Sequence, residues 1–175
     1  MCTHPCYNFF VKPFEPPDTH HLRAAEGWLE LGNYTEANAE LDNVTPTVRA
    51  HPVVLRLRWH VCAQGKAWDL AYEVANTLVR LEPGNAEHWL HRSYALHELK
   101  RTKEARDLLL PAAGMFQDIE VIRYNLACYE CQLGNLPKAK EWLAQAFARA
   151  KGGALKRQAL DDPDLEPLWQ HIATL

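Results

Sequence analysis

The chain lacks any long run of apolar residues. No stretch approaches the roughly 18 consecutive apolar residues that a membrane-spanning helix needs. The first ten residues, MCTHPCYNFF, also lack the basic start and apolar middle of a secretory signal. The sequence therefore predicts neither a membrane span nor a secretory leader.

An excess of charge of one sign is also missing. The net charge is −3 and the isoelectric point is near 6.3, so no basic surface is available for nucleic acid or an anionic membrane. We expect neither as a partner.

Cysteine spacing typical of a disulfide framework is absent as well. The chain has five cysteines, an odd number, which indicates a reducing compartment such as the cytoplasm. A glycine-rich phosphate loop, a nucleophile elbow and a catalytic carboxylate pair are likewise missing. The sequence predicts no enzyme activity and no cofactor.

What the chain does have is an internal repeat. Small or aliphatic residues recur in three columns with a step of 34 residues: Ala37, Ala71, Ala105, Ala139; Leu41, Ala75, Leu109, Leu143; and Val44, Leu78, Ala112, Ala146. Leu-Gly-Asn occurs at residues 31–33 and again at 133–135. The clearest unit, Arg123 to Phe147, reads as two amphipathic helices joined by a tight turn. Such a hairpin cannot bury its apolar faces alone, so stacked copies are expected.

These columns resemble the tetratricopeptide repeat family, whose unit is a 34-residue helix-turn-helix with a small residue early in its second helix. The resemblance implies an all-α, right-handed superhelical solenoid that binds another protein. It divides the chain into an extended arm at 1–17, four repeats at about 18–50, 51–84, 85–118 and 119–152, and a C-terminal pair of capping helices at 153–175.

Repeat two departs from the pattern. The constant step places Trp59 in a column that elsewhere holds Ala25, Ser93 and Ala127, where a small residue lets paired helices approach closely. Because a tryptophan cannot serve that purpose, the sequence favours a first helix shifted by one residue, with its turn at Gly65.

Local signals place some helix ends. Asp18 or Thr19 can cap the first helix, and Thr102 can cap the helix that carries Ala105. Pro111 falls inside that helix and is expected to kink it.

The arm is rich in proline and aromatic residues. Its large side chains, Tyr7, Phe9, Phe10 and Phe14, would expose much apolar surface if left in water. We expect the arm to dock on the chain's own groove or on a second copy; a mobile terminus is the simpler alternative.

The tail, GGALKRQALDDPDLEPLWQHIATL, is expected to cover the last apolar face of the stack with a helix at 154–160 and another at 164–172. Its segment DDPDLEPLW resembles the end-of-group segment that follows the final repeat in some bacterial members of the family. This likeness implies a bacterial source and a complete C-terminus.

The family resemblance assigns the concave wall of the superhelix to the first helix of each repeat. The residues expected to bind a peptide on this wall are Leu22, Glu26, Leu29, Leu55, Trp59, Cys62, Leu90, Tyr94, His97, Tyr124, Cys128 and Cys131. Some family members grip chaperone C-termini with a clamp of Lys, Asn and Arg, but Leu22, Glu26, Leu90 and Tyr94 hold those positions here. The sequence therefore predicts a protein or peptide partner of unknown identity, and not a chaperone tail.

Two other functions stay open. The chain could be a self-assembly module whose arms exchange between two copies. Alternatively, Cys128 and Cys131, with Cys2, His4 and Cys6, could form a thiol or metal sensor. Buried cysteines acting as small apolar residues are far commoner, so no metal site is assigned.

Overall fold

Eight helices follow one another as four consecutive pairs. The computed structural model describes residues 14–150 and 153–174, and within these ranges the chain is helical without strands. The helices are α1 (Asp18–Glu30), α2 (Tyr34–Asn43), α3 (Pro52–Gln64), α4 (Trp68–Leu81), α5 (Ala86–Glu98), α6 (Thr102–Met115), α7 (Glu120–Gln132) and α8 (Leu136–Arg149). The first helix of every pair begins 34 residues after its predecessor, and so does the second.

The turns inside the four pairs share one backbone geometry. The residues with positive φ are Gly32 (74°), Lys66 (54°), Lys100 (62°) and Gly134 (79°). In each turn, the next residue donates its N–H to a carbonyl five residues earlier, as Asn33 does to Trp28 and Asn135 to Glu130. This is a Schellman motif, which satisfies carbonyls left free at the helix end.

The one-residue shift predicted for the first helix of repeat two is wrong. α3 begins at Pro52 in step with the other first helices, and its left-handed turn residue is Lys66. Gly65 has an ordinary φ of −78°. No residue is inserted before α4.

Trp59 consequently occupies the small-residue column and is 7% exposed. Its ring lies flat against the imidazole of His91, with ring centroids 3.5 Å apart and planes 5° from parallel. Stacking of two flat rings thus replaces the close helix approach that a small residue gives elsewhere.

The predicted caps of α1 and α6 are also wrong. Pro17 precedes α1, and the Asp18 carboxylate instead accepts a hydrogen bond from the Thr45 N–H at 2.7 Å. The Thr102 hydroxyl lies 3.1 Å from His97 Nδ1 and caps no helix. Pro111 lies within α6, which continues to Met115.

The three repeat columns form the core of the stack. All twelve residues named for them above have no exposed surface, which confirms the periodicity. One buried cluster joins α1, α2 and α3, a second lies around Trp59, and the largest spans α5 to α8.

The tail is α9 (Ala154–Asp161), a 3₁₀ helix (Pro163–Leu168) and α10 (Trp169–Ala173). The single second helix expected at 164–172 is therefore split, since Pro167 inside it lacks the N–H group that an α-helix would use. Leu165, Leu168 and Ile172 are buried in the largest cluster.

Candidate functional site

The candidate site is the wall formed by α1, α3, α5 and α7. We call the residues of these helices that the sequence assigned to peptide binding the groove residues. The structure divides them into three sets: some belong to the core, some are exposed, and some lie beneath the tail.

In the first two pairs most groove residues face inward. Leu22 is buried, and Leu29 packs on the same cluster, whereas Glu26 is exposed. Leu55 is half-buried. Trp59 and Cys62 lie in the second core cluster, so a bound peptide would not reach them without rearrangement of the core.

Because α3 is not shifted by one residue, its positions on the wall are held by residues other than Leu55, Trp59 and Cys62. Arg56 holds one of them and pairs with Glu82 at 2.9 Å. Another is the exposed His60, whose ring meets the edges of Trp59 and His91 at centroid distances of 5.2 and 5.6 Å. The predicted one-residue shift of α3 left both residues out of the groove residues.

His91 is perturbed by this environment. Its side chain is 14% exposed and stacks on Trp59. Burial, with smaller effects from His60 and His88, lowers the pKa of His91 from 6.5 to about 3. Its imidazole is neutral in the folded protein at neutral pH.

The middle of the wall, on α5 and α7, is open. Tyr94 is 41% exposed, and its ring meets Trp68 edge to face at 5.5 Å. Leu90 lines a shallow, largely apolar pocket of about 540 Å³ with Phe116 and Ile119. We call Leu90, Tyr94 and the exposed Val121 the open wall.

Three further groove residues, His97, Tyr124 and Cys128, contact the chain's own tail, as does Gln132 at the end of α7, whereas Cys131 is buried in the largest cluster. The Tyr124 hydroxyl donates to the Asp162 carboxylate at 2.6 Å, and the Cys128 thiol lies 3.7 Å from the same oxygen. His97 Nε2 meets the Asp164 carboxylate at 2.9 Å. Gln132 Nε2 donates to the Asp164 carbonyl at 3.1 Å. We call His97, Tyr124, Cys128 and Gln132 the covered wall.

Burial sets the electrostatics of the covered wall. It raises the pKa of the Tyr124 hydroxyl, and the hydrogen bond to Asp162 acts in the same direction. It also raises the pKa of the Cys128 and Cys131 thiols, with the negative charges of Asp162 and Asp164 adding to the effect. Both thiols stay protonated at neutral pH, whereas nucleophilic and metal-binding cysteines are thiolates.

Across residues 14–150 and 153–174, no three His, Cys, Asp or Glu side chains are grouped so that they could hold a metal ion. The arm residues Cys2, His4 and Cys6, which the sensor hypothesis needs, lie outside the described residues. Within the same ranges, no helix is both long enough and apolar enough to cross a bilayer.

Three of the expected arm residues, Tyr7, Phe9 and Phe10, also lie outside the described residues. Phe14 is described and packs against the first core cluster. Its ring meets His51, at the start of α3, edge to face at 4.8 Å.

The sequence reading did not assign Asp162 or Asp164 to the site. The sequence predicts only a cap in this segment, although the adjacent acidic residues between apolar positions in DDPDLEPLW are a signal that points to both aspartates. A carboxylate that becomes buried in such a segment needs hydrogen-bond donors from elsewhere in the chain.

No family model and no curated protein matches the sequence. Solved structures do resemble the fold. MamA of MSR-1 superimposes with a TM-score of 0.68 at 18% identity, covering 78% of this chain and 77% of that one. MamA of AMB-1 gives 0.67 at 18% identity, over 81% and 77%. A double mutant of MamA described as RS-1 ArsTM gives 0.70 at 16% identity, over 83% and 79%.

MamA is a tetratricopeptide-like helical repeat protein. Identities this low show likeness of fold alone. The chain is an all-α, tetratricopeptide-like superhelical solenoid, as the family resemblance implied.

Proposed function

We propose that this protein is a scaffold that binds an extended segment of another protein along its concave wall and has no chemistry of its own. The observation that carries the proposal is the covered wall, where side chains of α5 and α7 hold a short segment of polypeptide by its carboxylates and a backbone carbonyl. The open wall beside it presents exposed aromatic and aliphatic side chains, which are typical anchors for a bound peptide.

A peptide-display selection on the immobilised full-length protein tests the proposal. Selected peptides should bind the wild type and lose affinity for Leu90→Glu/Tyr94→Ala, because the change places a charge in the pocket and removes an aromatic anchor. The matched control is Leu70→Glu/Leu110→Ala, which alters two exposed leucines on α4 and α6. Equal binding to both double variants would refute a groove on the open wall.

A second candidate is self-assembly through exchanged arms. The packing of Phe14 against α3 and the first core cluster favours it, because this contact places the beginning of the described chain on apolar surface. Light scattering on full-length protein and on protein without residues 1–14 separates the candidates: arm exchange predicts a dimer that becomes a monomer on deletion.

The thiol-sensor hypothesis has less support. Raised pKa values make Cys128 and Cys131 poor nucleophiles and poor metal ligands. The free thiols of Cys62, Cys128 and Cys131 fit a reducing compartment, which supports our proposal of a cytoplasmic location.

A further inference from the structure

Four side chains converge on one short stretch of the tail. His97 comes from α5, whereas Tyr124, Cys128 and Gln132 come from α7. Their hydrogen bonds to the tail all fall on Asp162 or Asp164. The covered wall is thus a built site with specific donors, filled from within the chain.

The groups that this site recognises are few. It contacts the carboxylate of Asp162 and the carboxylate and carbonyl of Asp164. The next residue, Leu165, is fully buried in the largest cluster. Pro163, between the two aspartates, is exposed. The recognised pattern is therefore Asp-x-Asp-Leu.

The recognised segment holds its own shape. The Asp162 carboxylate accepts a hydrogen bond from the Asp164 N–H at 3.0 Å, and the Leu165 N–H donates to the Asp162 carbonyl at 3.0 Å. Pro163 also restricts the backbone before the turn begins. A short free peptide of this pattern can adopt the same turn at a small entropic cost.

Charge favours an acidic occupant over a basic one. The site offers an imidazole N–H, a phenol O–H and an amide N–H, all of them donors, at distances of 2.6–3.1 Å from oxygen atoms. A lysine or arginine would leave these donors without acceptors, which is costly at the buried Tyr124.

We infer that His97, Tyr124, Cys128 and Gln132 form a binding site for an acidic Asp-x-Asp-Leu segment of another protein, and that the tail occupies this site as an intramolecular competitor. The inference rests on the proposed scaffold function and names the chemistry of the partner. A tethered segment competes at an effective concentration on the order of millimolar, so a partner binds measurably when the tail is weakened.

The test uses the full-length chain and a fluorescent peptide of residues 160–170, LDDPDLEPLWQ. The variant Asp162→Ala/Asp164→Ala/Leu165→Ala removes the recognised groups from the tail and leaves Leu168 and Ile172 to anchor it. It should bind the peptide about tenfold or more tightly than the wild type does. The matched control, Asp161→Ala/Glu166→Ala, removes two exposed acidic residues from the same stretch and should bind like the wild type.

Specificity is tested on both partners. Adding His97→Ala/Gln132→Ala to the triple variant should abolish binding, and a peptide with asparagine at both recognised aspartates should not bind. If the triple variant does not fold, Asp164→Ala alone, which removes one partly exposed carboxylate, should show a smaller gain in affinity.

Three results would overturn the inference. They are a folded triple variant that does not bind the peptide, binding that survives the loss of His97 and Gln132, and a wild-type dimer held by exchanged tails. The display experiment on Leu90 and Tyr94 reports on the scaffold function separately, so either proposal can fail alone.

Discussion

We predict that His91 makes the folded protein less stable in mild acid. Its imidazole is stacked on Trp59 and lies among His60, His88 and Glu87, whose carboxylate is 3.7 Å away. Burial outweighs the attraction of that carboxylate, and the pKa of His91 falls to about 3. In the unfolded chain the same group has its ordinary pKa of 6.5.

The sign and size of the effect follow from these two values. Below pH 6.5 the unfolded chain takes up a proton that the folded chain refuses, so the free energy of unfolding decreases as the pH falls. A shift of one pKa unit corresponds to about 1.4 kcal/mol. Between pH 7 and pH 5, His91 should therefore cost the folded state about 2 kcal/mol.

Urea unfolding at several pH values, with His91→Phe beside the wild type, measures this contribution. Phenylalanine keeps a ring against Trp59 but cannot be protonated, so the variant should lose about 2 kcal/mol less stability than the wild type over this interval. His20→Phe, at an exposed histidine, is the control and should behave like the wild type. Equal losses in wild type and His91→Phe would refute the reasoning.

Further predictions concern four single positions. Lys100→Gly should raise the free energy of unfolding by about 1 kcal/mol, because φ is 62° there and glycine adopts it without strain; Gly134→Ala should lower it in the same urea assay. Tyr124→Phe should lower it by about 2 kcal/mol, because the Asp162 carboxylate loses its closest donor; an unchanged urea midpoint would contradict this. Cys128 should react with iodoacetamide far more slowly than a cysteine in a short peptide at mildly alkaline pH, because burial raises its pKa, and mass spectrometry before and after unfolding checks this.

The periodic part of the fold was predictable because one physical requirement repeats in it. A small residue such as Ala37 or Ala139 must sit where two helices meet, and the same spacing therefore recurs along the chain. The prediction failed at Trp59, where bulk alone was considered. The partner that accommodates the ring, His91, lies 32 positions away, and no local pattern connects the two.

Other contacts leave a weaker trace in the sequence. Arg123, buried in α7, donates to the carbonyls of Ala113, Phe116 and Ile119 at 2.8–3.2 Å. The burial of Arg123 could not be predicted from the sequence. The carbonyl groups that accept its hydrogen bonds come together only after the turn between α6 and α7 has formed. The seating of Asp162 on α7 escaped prediction for the same reason, since it depends on how two distant segments meet in space.

The tail contacts the C-terminal half of the stack, so the two ends of the stack are not equivalent. The turn geometry is common to all four pairs, but His97 and Tyr124, which hold the tail, belong to α5 and α7 alone. An additional helix pair inserted ahead of α5 would lengthen the array and leave its closing segment seated. The same insertion after α8 would move that segment away from His97 and Tyr124, which hold it. The array can therefore be lengthened on the N-terminal side of α5 but not on the C-terminal side of α8.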